Sequence, residues 1–152
     1  AYHFGIDVSK GALLGINGGG GAARSVASAW IKSGGKVVSL GGKRQLPATL
    51  VNTKAGNDAT FDLVFDAEGS LKSTPNSNYI LNPAYSPMKG SLEERFERLL
   101  PNRNQIDGRW MLAAQHIESW RSLWAPNLSE NLPSLEQLMT WLISMEYKLE
   151  ET

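Results

Sequence analysis

The eight residues 17–24, Asn-Gly-Gly-Gly-Gly-Ala-Ala-Arg, constrain this chain more than any other stretch. The apolar run 12–16, Ala-Leu-Leu-Gly-Ile, leads into them. A run of helical character, 25–33, comes next, and 36–40, Lys-Val-Val-Ser-Leu, reads as a second apolar strand. Strand, glycine turn, helix, strand is the opening βαβ unit of a dinucleotide-binding fold. In such a unit Gly18 turns the chain off the strand. Gly20 lets backbone approach a pyrophosphate with no Cβ in the way. Ala23 fills the third small position, where helix and strand pack closely. The free N–H groups and positive dipole end of the helix would then face the phosphates. The competing reading is a glycine-rich surface turn or flexible linker. Two strand-like runs flanking the glycines at this spacing speak against it.

A chain of 152 residues suggests one domain spanning 1–152, large enough to bury a sizeable core. Its 41% hydrophobic content is ordinary for a globular protein. Fifteen basic and fifteen acidic residues leave no formal net charge. No basic stripe interleaves with aromatics, so nucleic acid is not an expected partner. The absence of cysteine excludes disulfides and a thiol nucleophile and fits an intracellular, cytoplasmic protein. No apolar run approaches membrane-spanning length, so no membrane partner is expected. No signal peptide is visible, and a chain opening at Ala1 is compatible with a processed or excised fragment. His3 has no partner of metal-ligand type at useful spacing, and no metal site is expected.

Along the chain, Tyr2, Phe4, Ile6 and Val8 alternate with other residues, so 1–10 reads as a strand or extended lead-in. Asp7 and Lys10 there are either an acid–base pair or part of a solvated loop. Val26, Ala27, Ala29, Trp30 and Ile31 mark one face of the helix after the glycine turn, and Gly34-Gly35 ends it. A short second helix is expected over 45–53, with Pro47 in its first turn. Residues 61–67 read as a parallel strand, 68–78 as a loop, and 79–81 as a further strand. Helices are expected over 91–100, with Leu92, Phe96, Leu99 and Leu100 on one side, and over 107–124. Residues 126–133 connect to the clearest helix, 134–150. Ser134 and Gln137 form its capping box; Leu135, Leu138, Met139, Leu142, Met145 and Leu149 form its apolar stripe. The predicted fold is α/β: a Rossmann-like parallel sheet with helices on both faces and a helical C-terminal end.

The residues just after the second strand govern cofactor choice. An Asp or Glu there hydrogen-bonds the adenosine ribose of NAD; a basic residue accepts the extra phosphate of NADP. This chain offers Gly41-Gly42-Lys43-Arg44 and no acid. If a dinucleotide binds, Lys43 and Arg44 favour NADP; otherwise they are a solvated basic turn.

Three separated motifs then carry a family resemblance. Gly18-Gly19-Gly20-Gly21-Ala22-Ala23-Arg24 resembles the GAGGAAR turn of shikimate and quinate dehydrogenases. Ala84-Tyr85-Ser86-Pro87 resembles their Tyr-x-Pro segment, and Asp107-Gly108-Arg109-Trp110-Met111-Leu112-Ala113-Ala114-Gln115 resembles their DGxxMLxxQ segment. Trp120 falls where that family usually has Phe. The resemblance runs over residues 11–125 and implies the family's nucleotide domain. By position it implies that Gly18, Gly20, Gly21 and Ala23 hold the NADP pyrophosphate and that Lys43 or Arg44 meets the 2′-phosphate. Met111 would lie near the nicotinamide, and Tyr85 and Gln115 would reach a hydroxyl-rich substrate ring. A phenol and an amide suit that task, because each donates and accepts.

The departures from the family are equally specific. Its catalytic Lys and Asp sit in an N-terminal substrate domain, and only residues 1–10 stand in that place here. No catalytic residue is therefore assigned, and His3 and His116 have no visible partner to replace that pair. The family's strand-end Asn-Ala-Thr becomes Asp66-Ala67-Glu68. Trp110 stands at a position often held by Gly beside the nicotinamide, where an indole would be a steric block. Two functions are expected in consequence. One is the NADP-binding domain of a shikimate/quinate dehydrogenase-like oxidoreductase, acting on a small polyol acid with a substrate-binding domain or partner chain. The other is a non-catalytic regulatory or scaffolding domain that keeps the fold, as fungal quinate repressors do.

Overall fold

Five strands form one all-parallel sheet in the order β2-β1-β3-β4-β5. They are β1 Leu13–Asn17, β2 Lys36–Gly41, β3 Phe61–Asp66, β4 Ser77–Asn82 and β5 Gln105–Asp107. The computed structural model describes residues 1–56, 58–71, 73, 75–100 and 104–150. These gather into two compact units. The first comprises Ala1–Ala84 and residues 104–106; the second comprises Tyr85–Leu100 and residues 107–150. The architecture is Rossmann-like α/β, as the alternation of strand and helix patterns predicts.

The centre of the sheet reads as it should for strands covered on both faces. Leu14 and Ile16 of β1, Val37 of β2 and Val64 of β3 are wholly buried, and Phe65 is nearly so. Leu14 lies opposite Val37 on one side and Leu63 on the other. Each such side chain contributes about 1.5–3 kcal/mol of burial free energy. Helix α1, Gly21–Lys32, packs on β1 and β2. It buries Ala23, Ala27 and Trp30, at i, i+4 and i+7, and the Trp30 indole N–H donates to the Ala12 carbonyl at 2.9 Å.

Two stretches of the first unit differ from their patterns. Residues 1–10 are not a strand but two short 3-10 turns, Tyr2–Phe4 and Val8–Lys10. Local bonding wins there: the Asp7 carboxylate accepts from the Ser9 N–H and hydroxyl and pairs with Lys10 at 3.0 Å. Only Ile6 of the alternating apolar residues is buried. The helix expected over 45–53 is a single 3-10 turn, Ala48–Leu50. Asn52 is drawn instead to the outer edge of β2. Its N–H donates to the Val37 carbonyl, its side-chain oxygen accepts from the Val37 N–H at 2.7 Å, and its amide donates to the Gly35 carbonyl. That bonding covers an edge strand, which otherwise templates aggregation. The polar stretch 54–60 and the loop 68–78 include Asn57, Lys72 and Thr74, which lie outside the described residues.

The second unit is helical: α2 Leu92–Leu99, α3 Gly108–Ser119, a π-helical turn Trp120–Trp124, a 3-10 turn Pro126–Asn131 and α4 Leu135–Glu150. The capping box of α4 forms as the sequence predicts, with reciprocal Ser134 and Gln137 bonds. Its buried face matches the predicted stripe in part. Met139 and Ile143 are buried and Leu135, Leu138 and Leu142 half-buried, whereas Met145 and Leu149 are exposed.

Candidate functional site

The glycine turn sits at the carboxyl end of β1, where an open parallel sheet binds its ligands. Gly18 leaves the strand at φ +107°, a left-handed conformation that favours glycine. Its N–H donates to the Gly41 carbonyl at 2.8 Å, stitching the turn to the end of β2. A Cβ at Gly42 would lie 2.6 Å from the Gly18 nitrogen, and one at Gly19 would strike the Gln45 carbonyl. The two glycine turns thus pack backbone against backbone, and Gly18 and Gly19 are buried. Gly20 and Gly21 differ: a Cβ on either would meet nothing within 4 Å. Gly20 is the N-cap of α1 and, as a glycine, supplies no side-chain capping bond. The turn lies between β1 and α1, where the spacing of the glycines places it. Ala23 is fully buried at the helix–strand contact.

Sequence reasoning did not weigh Arg24 or Asn17. The exposed Arg24 folds back so that its Nε–H donates to the Gly19 carbonyl at 2.9 Å, which sets a guanidinium beside the helix end. The buried Asn17 donates through Nδ2 to the Asp66 carboxylate at 2.7 Å and to the Ser70 hydroxyl at 3.3 Å, tying the ends of β1 and β3. The sequence signal for both was their place at the ends of apolar strands or inside the glycine motif.

The basic turn after β2 is not empty of acid in space. Glu68, beyond the end of β3, reaches across the end of β1. Its Cγ would lie 2.9 Å from a Cβ on Gly18. Its Oε2 accepts from the Lys43 N–H at 2.7 Å and its Oε1 from the Arg44 N–H at 3.2 Å. These two backbone bonds, Lys43 first, hold the carboxyl below its usual range. The side chains of Lys43 and Arg44 are exposed.

Tyr85, Met111 and Gln115 all lie in the second unit. Gln115 is exposed on α3, Met111 is half-buried, and Tyr85 is 46% exposed with its ring 4.6 Å from the Arg109 guanidinium. Arg109 is the residue that unites these motifs. It is 1% exposed and donates to Glu146, to Asp107 and, at 2.8 Å, to the Ser86 carbonyl. Burial pushes its pKa down, but Glu146 and Asp107 outweigh burial and hold it above the ordinary arginine value. The Tyr-x-Pro and Asp-Gly segments are therefore joined by a structural ion cluster. Trp110, the residue expected to crowd a nicotinamide, lies in the second unit. Its indole is buried within the second unit, and its N–H donates to the Leu99 carbonyl at 3.0 Å.

Among the described residues, two of the hollows lie elsewhere. One of about 850 Å³, lined by Asp7, Asp62, Ser77 and Tyr79 among others, opens at the amino ends of the strands, opposite the glycine turn. The other, about 480 Å³ and apolar, lies in the second unit between α3, α4 and the turn before it, and includes His116. His3 stacks edge-on against Phe4. Among the described residues no group of three or more His, Cys, Asp or Glu is arranged to hold a metal, and no helix is long and apolar enough to cross a membrane.

The fold and the glycine turn define the chain by class, as a Rossmann-like α/β protein. No protein-family model matches it, and no curated protein sequence matches it.

Proposed function

We propose that this chain is the nucleotide-binding domain of a shikimate/quinate dehydrogenase-like oxidoreductase and holds the pyrophosphate of a nicotinamide dinucleotide at the amino end of α1. The observation that carries this reading is the open helix end at Gly20 and Gly21, with the Arg24 guanidinium beside it, at the carboxyl end of β1. Met111 on the nicotinamide and Tyr85 and Gln115 on a polyol acid remain the assignments that the motif resemblance implies. The acid–base pair would come from a substrate-binding domain or partner chain.

The test separates binding from folding. Gly20 has φ −71° and ψ −175°, extended backbone that any residue adopts, and open space around it. Asp is as good a helix N-cap as any residue, so Gly20→Asp should change stability by only about a few tenths of a kcal/mol. Its carboxylate would nevertheless sit where the phosphates go. Calorimetric titration with NAD and NADP should show dinucleotide affinity falling at least about tenfold, 1.4 kcal/mol, in the variant. Equal affinity in both proteins would end this reading.

Turnover is a separate expectation. The chain alone, mixed with shikimate or quinate and either dinucleotide, should reduce no cofactor. General acid–base catalysis is typically worth about 10²–10⁴-fold, and positioning the reactants about 7–11 kcal/mol more. Clear reduction at the nicotinamide absorbance band would reveal a catalytic pair within this chain.

A second reading, a non-catalytic domain of regulatory or scaffolding type, draws support from Glu68. That carboxylate already holds the two amides of the turn after β2. On that reading neither dinucleotide binds.

A further inference from the structure

We propose that Glu68 is the specificity residue for the adenosine end of the cofactor and that it selects NAD over NADP. The inference rests on the dinucleotide reading above. In this fold the ribose of the adenosine half lies at the end of β2, where an acid reads its hydroxyls. Along the chain that acid is missing, since Gly41-Gly42-Lys43-Arg44 comes after the strand. In space it is supplied from β3: the Glu68 carboxylate sits on the Lys43 and Arg44 N–H groups at 2.7 and 3.2 Å.

The geometry suits a diol. A carboxylate offers roughly four acceptor positions on its two oxygens. The two amides use one on each oxygen, which leaves one on each oxygen for a pair of adjacent hydroxyls. The same geometry opposes a 2′-phosphate. The amides that would have received it are already bonded to an anion, and the phosphate would meet that anion at close range. Glycine at 18 and 42 is what lets the side chain pass: Cβ atoms there would come within 2.9 Å of its Cγ and 3.2 Å of its Cδ. The backbone bonds that hold the carboxyl ionised keep both of its oxygens as acceptors at neutral pH. Lys43 and Arg44 then belong to the carboxylate's surroundings through their amides, with their side chains out in solvent.

The experiment titrates the full chain and its Glu68→Gln and Glu68→Ala variants with NAD and with NADP by calorimetry. The wild-type chain should bind NAD at least about tenfold more tightly than NADP, the scale of one charge-assisted contact. Glu68→Gln keeps the length of the side chain and removes its charge. It should tighten NADP about tenfold while weakening NAD, reversing the preference. Glu68→Ala should act in the same direction. The affinity ratio is the readout, because a side chain that merely braced the turn would weaken both cofactors alike. Tighter NADP than NAD in the wild type, or an unchanged ratio in Glu68→Gln, overturns the assignment and leaves the dinucleotide site standing. Binding of neither cofactor to any of the three proteins removes the dinucleotide reading and this inference together.

Discussion

Arg109 shows how much one buried charge organises. Its fork reaches Glu146 on α4, Asp107 at the start of α3 and the carbonyl of Ser86, and its face lies over Tyr85. Lysine cannot reproduce that set, because one ammonium lacks the planar spread of donors. Arg109→Met would leave the Glu146 carboxylate and the Ser86 carbonyl without this donor and Asp107 with only the backbone N–H of residue 109. Since Glu146 and Asp107 are about a quarter exposed, water recovers part of the loss. The expected destabilisation is about 2–4 kcal/mol by urea unfolding, with Arg109→Lys recovering little of it. Wild-type stability in Arg109→Met would mean that the cluster is ornamental. The sequence made the Asp-Gly motif visible but concealed this role, because an arginine in a helix reads as a solvent-facing residue until its partners are known. Trp110 was concealed in the same way. Its indole N–H donates to the Leu99 carbonyl at the end of α2, a partner that sequence does not reveal.

At the level of elements, legibility followed local chemistry. The α4 capping box and the strand–turn–helix at Gly18 to Gly21 could be read because each is set by neighbours in sequence. The ion pairs of α4 could not. Glu146 pairs with the buried Arg109 and Glu150 with the buried Arg95. A hydrophobic stripe counts both glutamates as surface and does not reveal their partners. Arg95, 3% exposed beside the Tyr147 ring, also holds the Glu150 carboxyl below its ordinary value of 4.5. A carboxyl with a depressed folded pKa contributes stability above its unfolded pKa and loses it as pH falls through the folded one. Melting temperature should therefore show no Glu150 contribution to its pH dependence above about pH 5 and fall below pH 4.5. The fall should be shallower in Glu150→Gln; identical slopes would show that the pair adds nothing. The 3-10 turn at Ala48–Leu50 was illegible for a related reason, since Asn52 finds its partners on β2 rather than in a helix of its own.

Across the whole molecule, the pattern of strands sufficed to predict a parallel sheet but not the division into two units. Apolar runs announce themselves, while a unit boundary depends on which faces meet. The five tryptophans divide unevenly. Trp30 and Trp110 are 6% and 8% exposed, whereas Trp120, Trp124 and Trp141 are roughly half exposed or more. Acrylamide should quench the emission in two phases, the larger from the exposed set, with a blue-shifted residue that resists quenching. A single phase would contradict the burial of Trp30 and Trp110. The practical consequence is that tryptophan emission reports chiefly on the second unit, whereas the glycine turn lies in the first. Calorimetry is the sounder assay for nucleotide.

The backbone contact between the two glycine turns carries an evolutionary lesson. Positions 19 and 42 reject a Cβ because other backbone atoms occupy the volume, whereas positions 20 and 21 have room for one. A saturation library selected only for soluble expression should therefore keep glycine at 19 and 42 and drift freely at 20 and 21. Selection for ligand capture should freeze 20 and 21 as well. Half of a fingerprint usually credited to a cofactor would then be an inheritance of folding, and its persistence in a descendant would say nothing about whether that descendant still binds one.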